Sequence, residues 1–233
     1  MRKVWNRACR GRTGLNRTRL LHEIYHSLLA ALGKQHWWPA ETAFEMILGA
    51  LLAQNTAWKN AAAAIGNLRD RGLLSLEGLR GLCAPEIEIL IRPSGYYRQK
   101  TKKVMAFCDY LATKWNGSVE QFLSRDMDEL RADLLTLPGI GRETADSIVL
   151  YAAFHPSFVV DAYTWRIFSR HGWIEESISY DDLREFFMEA LEPDVEIFQE
   201  FHALLVRVGH LYCRKKPLCQ ECPLHIFFDA QGF

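Results

Sequence analysis

Long apolar runs are missing from this chain. None approaches the roughly 18 residues that a helix needs to span a bilayer, so a membrane-embedded function is not expected. Basic residues open the sequence, but no continuous apolar segment follows them, and the pattern of a secretory signal is absent. The cytosol is the expected compartment. Net charge is missing too. The 28 Lys and Arg balance 28 Asp and Glu, so overall charge neither selects nor excludes a nucleic-acid partner. Alternation of apolar and polar residues never persists, which argues against a sheet, and no internal repeat is visible. No lysine occurs between Lys114 and Lys215.

Hydrophobic residues make up 49% of the 233, enough for one large core or two modest lobes. They recur at helical spacing. Leu20 to Leu32 reads as one amphipathic helix, and Phe44, Ile47, Leu48 and Leu51 form a stripe at i, i+3, i+4 and i+7. Gly49 and the alanines near it are expected to allow close helix packing. Further helices are expected over Ala61 to Leu68, in short pieces between Leu73 and Leu90 broken by Gly81 and Pro85, and from about Arg98 to Lys114. Three more follow residue 161. Cys83 and Cys108 sit in apolar patterns as small core residues, and Trp165 and Trp173 read as core. The expected class is all-α, built as helix bundles.

Charge is unevenly placed. Residues 1–20 carry Arg2, Lys3, Arg7, Arg10, Arg12, Arg17 and Arg19 with no acid, and residues 1–18 are expected to form a flexible basic arm. Residues 92–103 carry Arg92, Arg98, Lys100, Lys102 and Lys103, again with no acid, whereas acids pool between Glu175 and Glu200. Basic segments of this kind can meet a phosphate backbone on a neutral protein, and they also arise as ordinary solvated surface.

The most informative stretch is Leu137-Pro138-Gly139-Ile140-Gly141-Arg142-Glu143-Thr144-Ala145-Asp146, with Val159-Val160-Asp161 beyond it. Met127, Leu130 and Leu134 recur at helical spacing before the turn, and Ala145, Ile148, Val149 and Ala152 do so after it. Pro138 is expected to end the first helix, with Gly139 and Gly141 turning at φ > 0. This is a helix-hairpin-helix. A second helix that starts on amide N–H groups with no side chain in the way can hold a phosphate. An ordinary tight turn between core helices carries the same Pro-Gly-x-Gly pattern.

The run LPGIGRETADSIVLYAAFHPSFVVDAYTWRIFSR resembles the signature of the endonuclease III superfamily of DNA glycosylases. Hairpin, helix length, the apolar residues before Asp161 and the basic-apolar helix after it occur in the same order. The resemblance runs from about Leu20 to Leu224 and implies two all-helical lobes. Residues 43–155 would be a central helical barrel with the hairpin, and residues 19–42 with 156–233 the second lobe. The cleft between them would receive double-stranded DNA with a damaged base, bound by a monomer. On this resemblance Asp161, at the mouth of the cleft, is the catalytic carboxylate, and Gly139, Ile140, Gly141 and Arg142 grip the DNA. Gln54 lies where family members push a side chain into the gap left by an extruded base. Read from the residues alone, Asp161 is also a good helix N-cap and Gln54 a polar loop residue.

One departure decides the expected chemistry. Lyase-competent members carry a Lys just after the glycines of the hairpin, whose amine forms a Schiff base with the sugar. Here that position is Glu143, and the lysine-free stretch leaves no substitute in this helix or loop. A carboxylate forms no imine. The expected enzyme is therefore a monofunctional base-excision-repair N-glycosylase in which water takes the sugar carbon. Asp161 would stabilise the oxocarbenium-like transition state or activate that water. A first-turn acid favoured by the helix dipole accounts equally for Glu143.

Trp37, Trp38 and Pro39 in a loop, with Trp58 after the "LLAQNT" turn, could wall a pocket for an extruded purine. These features, with "RPSGYY" and Glu143, resemble the 3-methyladenine glycosylase branch of the superfamily, which implies alkylated purines as substrates. Packing is the usual role of buried Trp. Two rival functions stay open: a bifunctional glycosylase/abasic-site lyase, and a DNA-binding hairpin protein that has lost its chemistry.

Cys213, Cys219 and Cys222 stand at C-x5-C-x2-C spacing near the C-terminus. Three close cysteines in a reducing compartment suggest a metal. The loop resembles the four-cysteine loop that holds a [4Fe–4S] cluster in many superfamily members, with a shorter first gap and Phe228 in place of the fourth Cys. The cluster would need another ligand, His225 or Asp229. Zinc on three thiolates and His225, or three packed thiols without metal, are the alternatives.

Overall fold

The computed structural model describes residues 16–227, so most of the basic arm, with Phe228 and Asp229, lies outside the described residues. Those residues form helices and no strand. The chain divides into two units, Trp38–His155 and the segments on either side of it, up to Trp37 and from Pro156 onward. No described helix is long and apolar enough to cross a membrane.

The unit Trp38–His155 contains α2 (Ala43–Leu52), α3 (Trp58–Arg69), α4 (Leu76–Arg80), α5 (Ala84–Ile91), α6 (Tyr97–Lys114), α7 (Val119–Leu123), α8 (Met127–Thr136) and α9 (Arg142–Tyr151). Its middle is α9, buried from Thr144 to Tyr151 and packed on α2 and α8. Burial of Ala145, Ile148 and Val149 on one face and of Asp146, Ser147 and Leu150 around the rest leaves no solvent-facing stripe beyond the first turn. Two expectations need correction here. Pro85 does not break a helix. It occupies the first turn of α5, where its missing N–H costs nothing, and Cys83 is the exposed N-cap, its amide donating to Glu86 Oε2 at 2.7 Å. Cys108 does lie in the core, and burial pushes its thiol up to about 12.

The hairpin helices are tied together by a buried ion pair. Asp146 of α9 is fully buried, and Arg131 of α8 donates to both its oxygens, Nε to Oδ1 at 2.8 Å and Nη2 to Oδ2 at 3.1 Å. Removing one partner strands the other charge in the interior. Asp146→Ala is expected to cost about 3–5 kcal/mol of unfolding free energy, read from urea midpoints.

The other unit holds α1 (Arg17–Leu32), α10 (Ala162–Arg170), α11 (Tyr180–Met188) and α12 (Val195–Leu211), with α12 packed on both α10 and α1. Its core is aromatic. Phe158 stacks on Phe187 with ring centroids 3.9 Å apart and meets Phe198 and Phe201 edge-on. Trp173 is buried as expected, but Trp165 is 38% exposed on α10 and belongs to the surface.

His171, at the end of α10, stacks on Trp173 at 4.2 Å, and burial pulls its imidazole down to about 4. The unfolded chain takes up this proton near the ordinary 6.5, so below that pH it binds more protons than the folded protein. Stability is therefore complete above about 6.5 and drains as the pH falls towards 4. At pH 5 the loss is on the order of 2 kcal/mol. His202, also pulled down by burial, adds in the same direction. His171→Phe, which keeps a ring against Trp173, should flatten the fall in urea midpoint between pH 7 and pH 5.

Candidate functional site

The turn between α8 and α9 is held from below by Leu137 and Ile140, both buried, with Ile140 N–H donating to Leu137 O at 3.1 Å. Gly139 takes φ +80°, as expected. Gly141 does not. Its φ of −92° and ψ of 179° are extended backbone open to any residue, and a Cβ there would meet nothing within 4 Å. What glycine contributes at 141 is an N-cap with no side chain over the first turn of α9, which keeps the approach to those amides clear. Arg142 and Glu143 are both exposed in that turn.

Gln54 and Lys103 meet this turn from two other elements. Gln54 follows α2, and its Nε2 donates to Gly139 O at 3.0 Å and to Thr144 Oγ1 at 2.9 Å. Lys103 of α6 donates from Nζ to Gln54 Oε1. Its stem lies against Gly139, where a Cβ would come within 2.4 Å of Lys103 Cε. Glycine is thus required at 139 by backbone angle and by a neighbour. Lys103 reaches the turn from outside the hairpin's own helix and loop, and nothing in local spacing signals a contact between residues so far apart. Lys100 also departs from expectation. It is 2% exposed, not a surface cation, and donates to Leu52 O at 2.8 Å and Ser94 O at 2.7 Å, tying the end of α2 to the turn before α6. Burial, then the charge of Lys103, lowers its ammonium to about 8. Within that turn Tyr96 holds φ +45° with its ring 66% exposed.

Asp161 is the N-cap of α10. Phe158, Val159 and Val160 are buried ahead of it, which fixes where the chain emerges. Its Oδ1 accepts from Thr164 N at 2.7 Å and from Thr164 Oγ1 at 2.8 Å, while the Thr164 side chain is fully buried. The capping role is therefore real, and it engages one carboxylate oxygen. Oδ2 has no hydrogen bond among the described residues. The carboxylate is half-buried beside Tyr163, whose hydroxyl is pushed up by burial and then by the Asp161 charge, and beside buried His202.

Trp38 and Trp58 come together. Their rings meet edge to face at 5.2 Å, and Tyr151 closes on Trp38 at 5.5 Å. Gly49 admits them, since a Cβ there would lie 3.1 Å from Trp38 Nε1 and 3.5 Å from Trp58. Pro39 is exposed, and Trp37 ends the preceding segment of the other unit. Tyr151 was not anticipated, although it ends the hairpin's own second helix.

Residues 48–193 match the family of HhH-GPD superfamily base excision DNA repair proteins. The chain belongs to the HhH-GPD superfamily. A Methanocaldococcus jannaschii protein whose name marks it as a candidate DNA repair glycosylase is 44% identical over 214 residues, covering 91% of this chain and 97% of that protein. Endonuclease III of Thermotoga maritima is 30% identical, covering 87% of this chain and 89% of its own. Among solved structures, the 3-methyladenine DNA glycosylase of H. pylori bound to 1,N6-ethenoadenine is similar with a TM-score of 0.73 at 26% identity, covering 84% of this chain and 98% of that one. The protein is a base-excision-repair DNA glycosylase of the endonuclease III kind.

An HhH-GPD glycosylase of this kind often carries a [4Fe–4S] cluster, and the C-terminal loop is where it would sit. Cys213, Cys219 and Cys222 border one small cavity with His171 and Tyr212. Arg170 Nη1 donates to Cys213 Sγ at 3.4 Å and to Arg214 O at 2.7 Å, and Arg166 Nε donates to Cys213 O at 2.7 Å. Among the described residues no three His, Cys, Asp or Glu side chains converge to hold a metal. A cluster needs four ligands, and the three cysteine thiols are one short of that among the described residues, with a guanidinium hydrogen-bonded to the first sulfur. His225, a candidate fourth ligand for a cluster or for zinc, does not line the cavity; the imidazole that does is His171.

Proposed function

We propose that this glycosylase is monofunctional. It hydrolyses the N-glycosidic bond of alkylated purines, of the 3-methyladenine type, extruded from duplex DNA, and it leaves the strand uncut. The carrying observation is Glu143, exposed in the first turn of α9, where the resemblance puts the lysine of lyase-competent members. An amine there would attack the sugar; a carboxylate leaves that step to water.

Asp161 supplies the negative charge for the sugar cation that develops as the base leaves. Its engagement through Oδ1 alone supports this, because two hydrogen bonds fix the carboxylate while the second oxygen keeps its full acceptor capacity. The hairpin residues Gly139, Ile140, Gly141 and Arg142 hold the DNA backbone, and Gln54 fills the gap left by the extruded base. Trp38 and Trp58, with Pro39, wall the base pocket. Several N-alkylated purines are cationic and gain from an aromatic face, and their weakened bond needs little acid catalysis. The similarity to a 3-methyladenine glycosylase from H. pylori supports the same substrate class.

Chromatography of bases freed from methylated DNA tests the reading. Free 3-methyladenine or 7-methylguanine is expected. Release of oxidised pyrimidines with methylpurines untouched would overturn the substrate class.

A further inference from the structure

Gln54 is held in a way its proposed role does not require. Both hydrogens of its amide are donated, one to Gly139 O and one to Thr144 Oγ1, and its carbonyl accepts from Lys103 Nζ. Lysine is only a donor, so the oxygen end of the amide is fixed by chemistry. A free glutamine on a loop would lose rotamer freedom on entering DNA; this one has already lost it. Lys103 is itself constrained. Its stem fills the space that a side chain at 139 would occupy, and among the described residues no carboxylate pairs with it. One lysine therefore touches the phosphate-binding turn with its methylenes and the gap-filling side chain with its ammonium.

We propose that Lys103 is a positioning residue for base extrusion: it welds Gln54 to the Gly139 turn, so that the two meet DNA as one preset wedge. This rests on the reading of Gln54 as the side chain that fills the gap. Lys103→Met keeps most of the stem against Gly139 and removes the ammonium. Lys103→Arg keeps a donor.

The test compares wild type, Lys103→Met, Lys103→Arg, Gln54→Ala and the double variant Lys103→Met/Gln54→Ala. Each is held at saturating concentration on a duplex with 2-aminopurine beside an alkylated purine. Fluorescence reads extrusion, single-turnover base release reads chemistry, and thermal melting controls for folding. Gln54→Ala and Lys103→Met should each slow extrusion about tenfold, the scale of one charge-assisted hydrogen bond, with melting unchanged. The double variant should be no slower than Gln54→Ala, and Lys103→Arg should recover most of the rate. If Gln54→Ala slows extrusion but the effect of Lys103→Met multiplies with it, the weld is wrong. It is equally wrong if Lys103→Met only raises Kd and lowers the salt slope by about one, as loss of a plain phosphate contact would. If Gln54→Ala leaves extrusion untouched, the gap-filling reading itself fails.

Discussion

Asp161→Asn is expected to cut base release from methylated DNA by about a hundred- to a thousandfold, while duplex affinity and melting temperature stay near those of wild type. The substitution separates two roles that share one side chain. Asn caps helices about as well as Asp, and its Oδ1 can accept the same two hydrogen bonds from Thr164, so α10 keeps its start. What disappears is the negative charge. Groups that stabilise a developing charge in a preorganised site contribute factors of about 10² to 10³ each. Asp161→Ala makes the complementary comparison: it loses the cap as well and should melt earlier by about 1 kcal/mol of stability. An Asp161→Asn protein that releases base at the wild-type rate would reduce Asp161 to a cap.

The second large effect is a gain. Wild-type protein mixed with an abasic duplex and borohydride should give no covalent adduct, because no amine sits on the first turn of α9. Glu143→Lys puts one there. The positive end of the helix dipole disfavours an ammonium at that position and so favours the neutral, nucleophilic amine. A trapped band is expected to appear with Glu143→Lys and to be absent without it. Lys103→Met is the necessary control, since Lys103 is the lysine that reaches the turn from α6. Wild-type trapping that vanishes with Lys103→Met would make Lys103 the amine and the enzyme bifunctional.

Much of the frame was readable from local pattern. Leu130, Leu134, Ile148 and Val149 are buried as their spacing required, and the proline and glycine between them mark the hairpin. Residues that act across long sequence distances were not readable. Lys103 against Gly139, Asp146 against Arg131 and Lys100 against Leu52 each depend on which helices become neighbours, which no periodicity encodes. For that reason a run of cations at 92–103 looked like one surface, although Lys100 is interior. Gly141 departs from expectation in one respect. The positive φ expected there is absent, because its backbone is extended, while the missing side chain leaves the start of α9 open as expected. At the C-terminus the cysteine spacing points to a metal, and it could not foresee that Arg170 and Arg166 reach that loop from α10.

The most direct test is a single-turnover reaction on an end-labelled duplex carrying one 3-methyladenine-type lesion, each sample divided and run with and without hot alkali. Free base should form while the strand stays whole, breaking only in the alkali-treated half. Strand breaks that keep pace with base release before alkali, or no free base at all, would contradict a water-using, amine-free glycosylase.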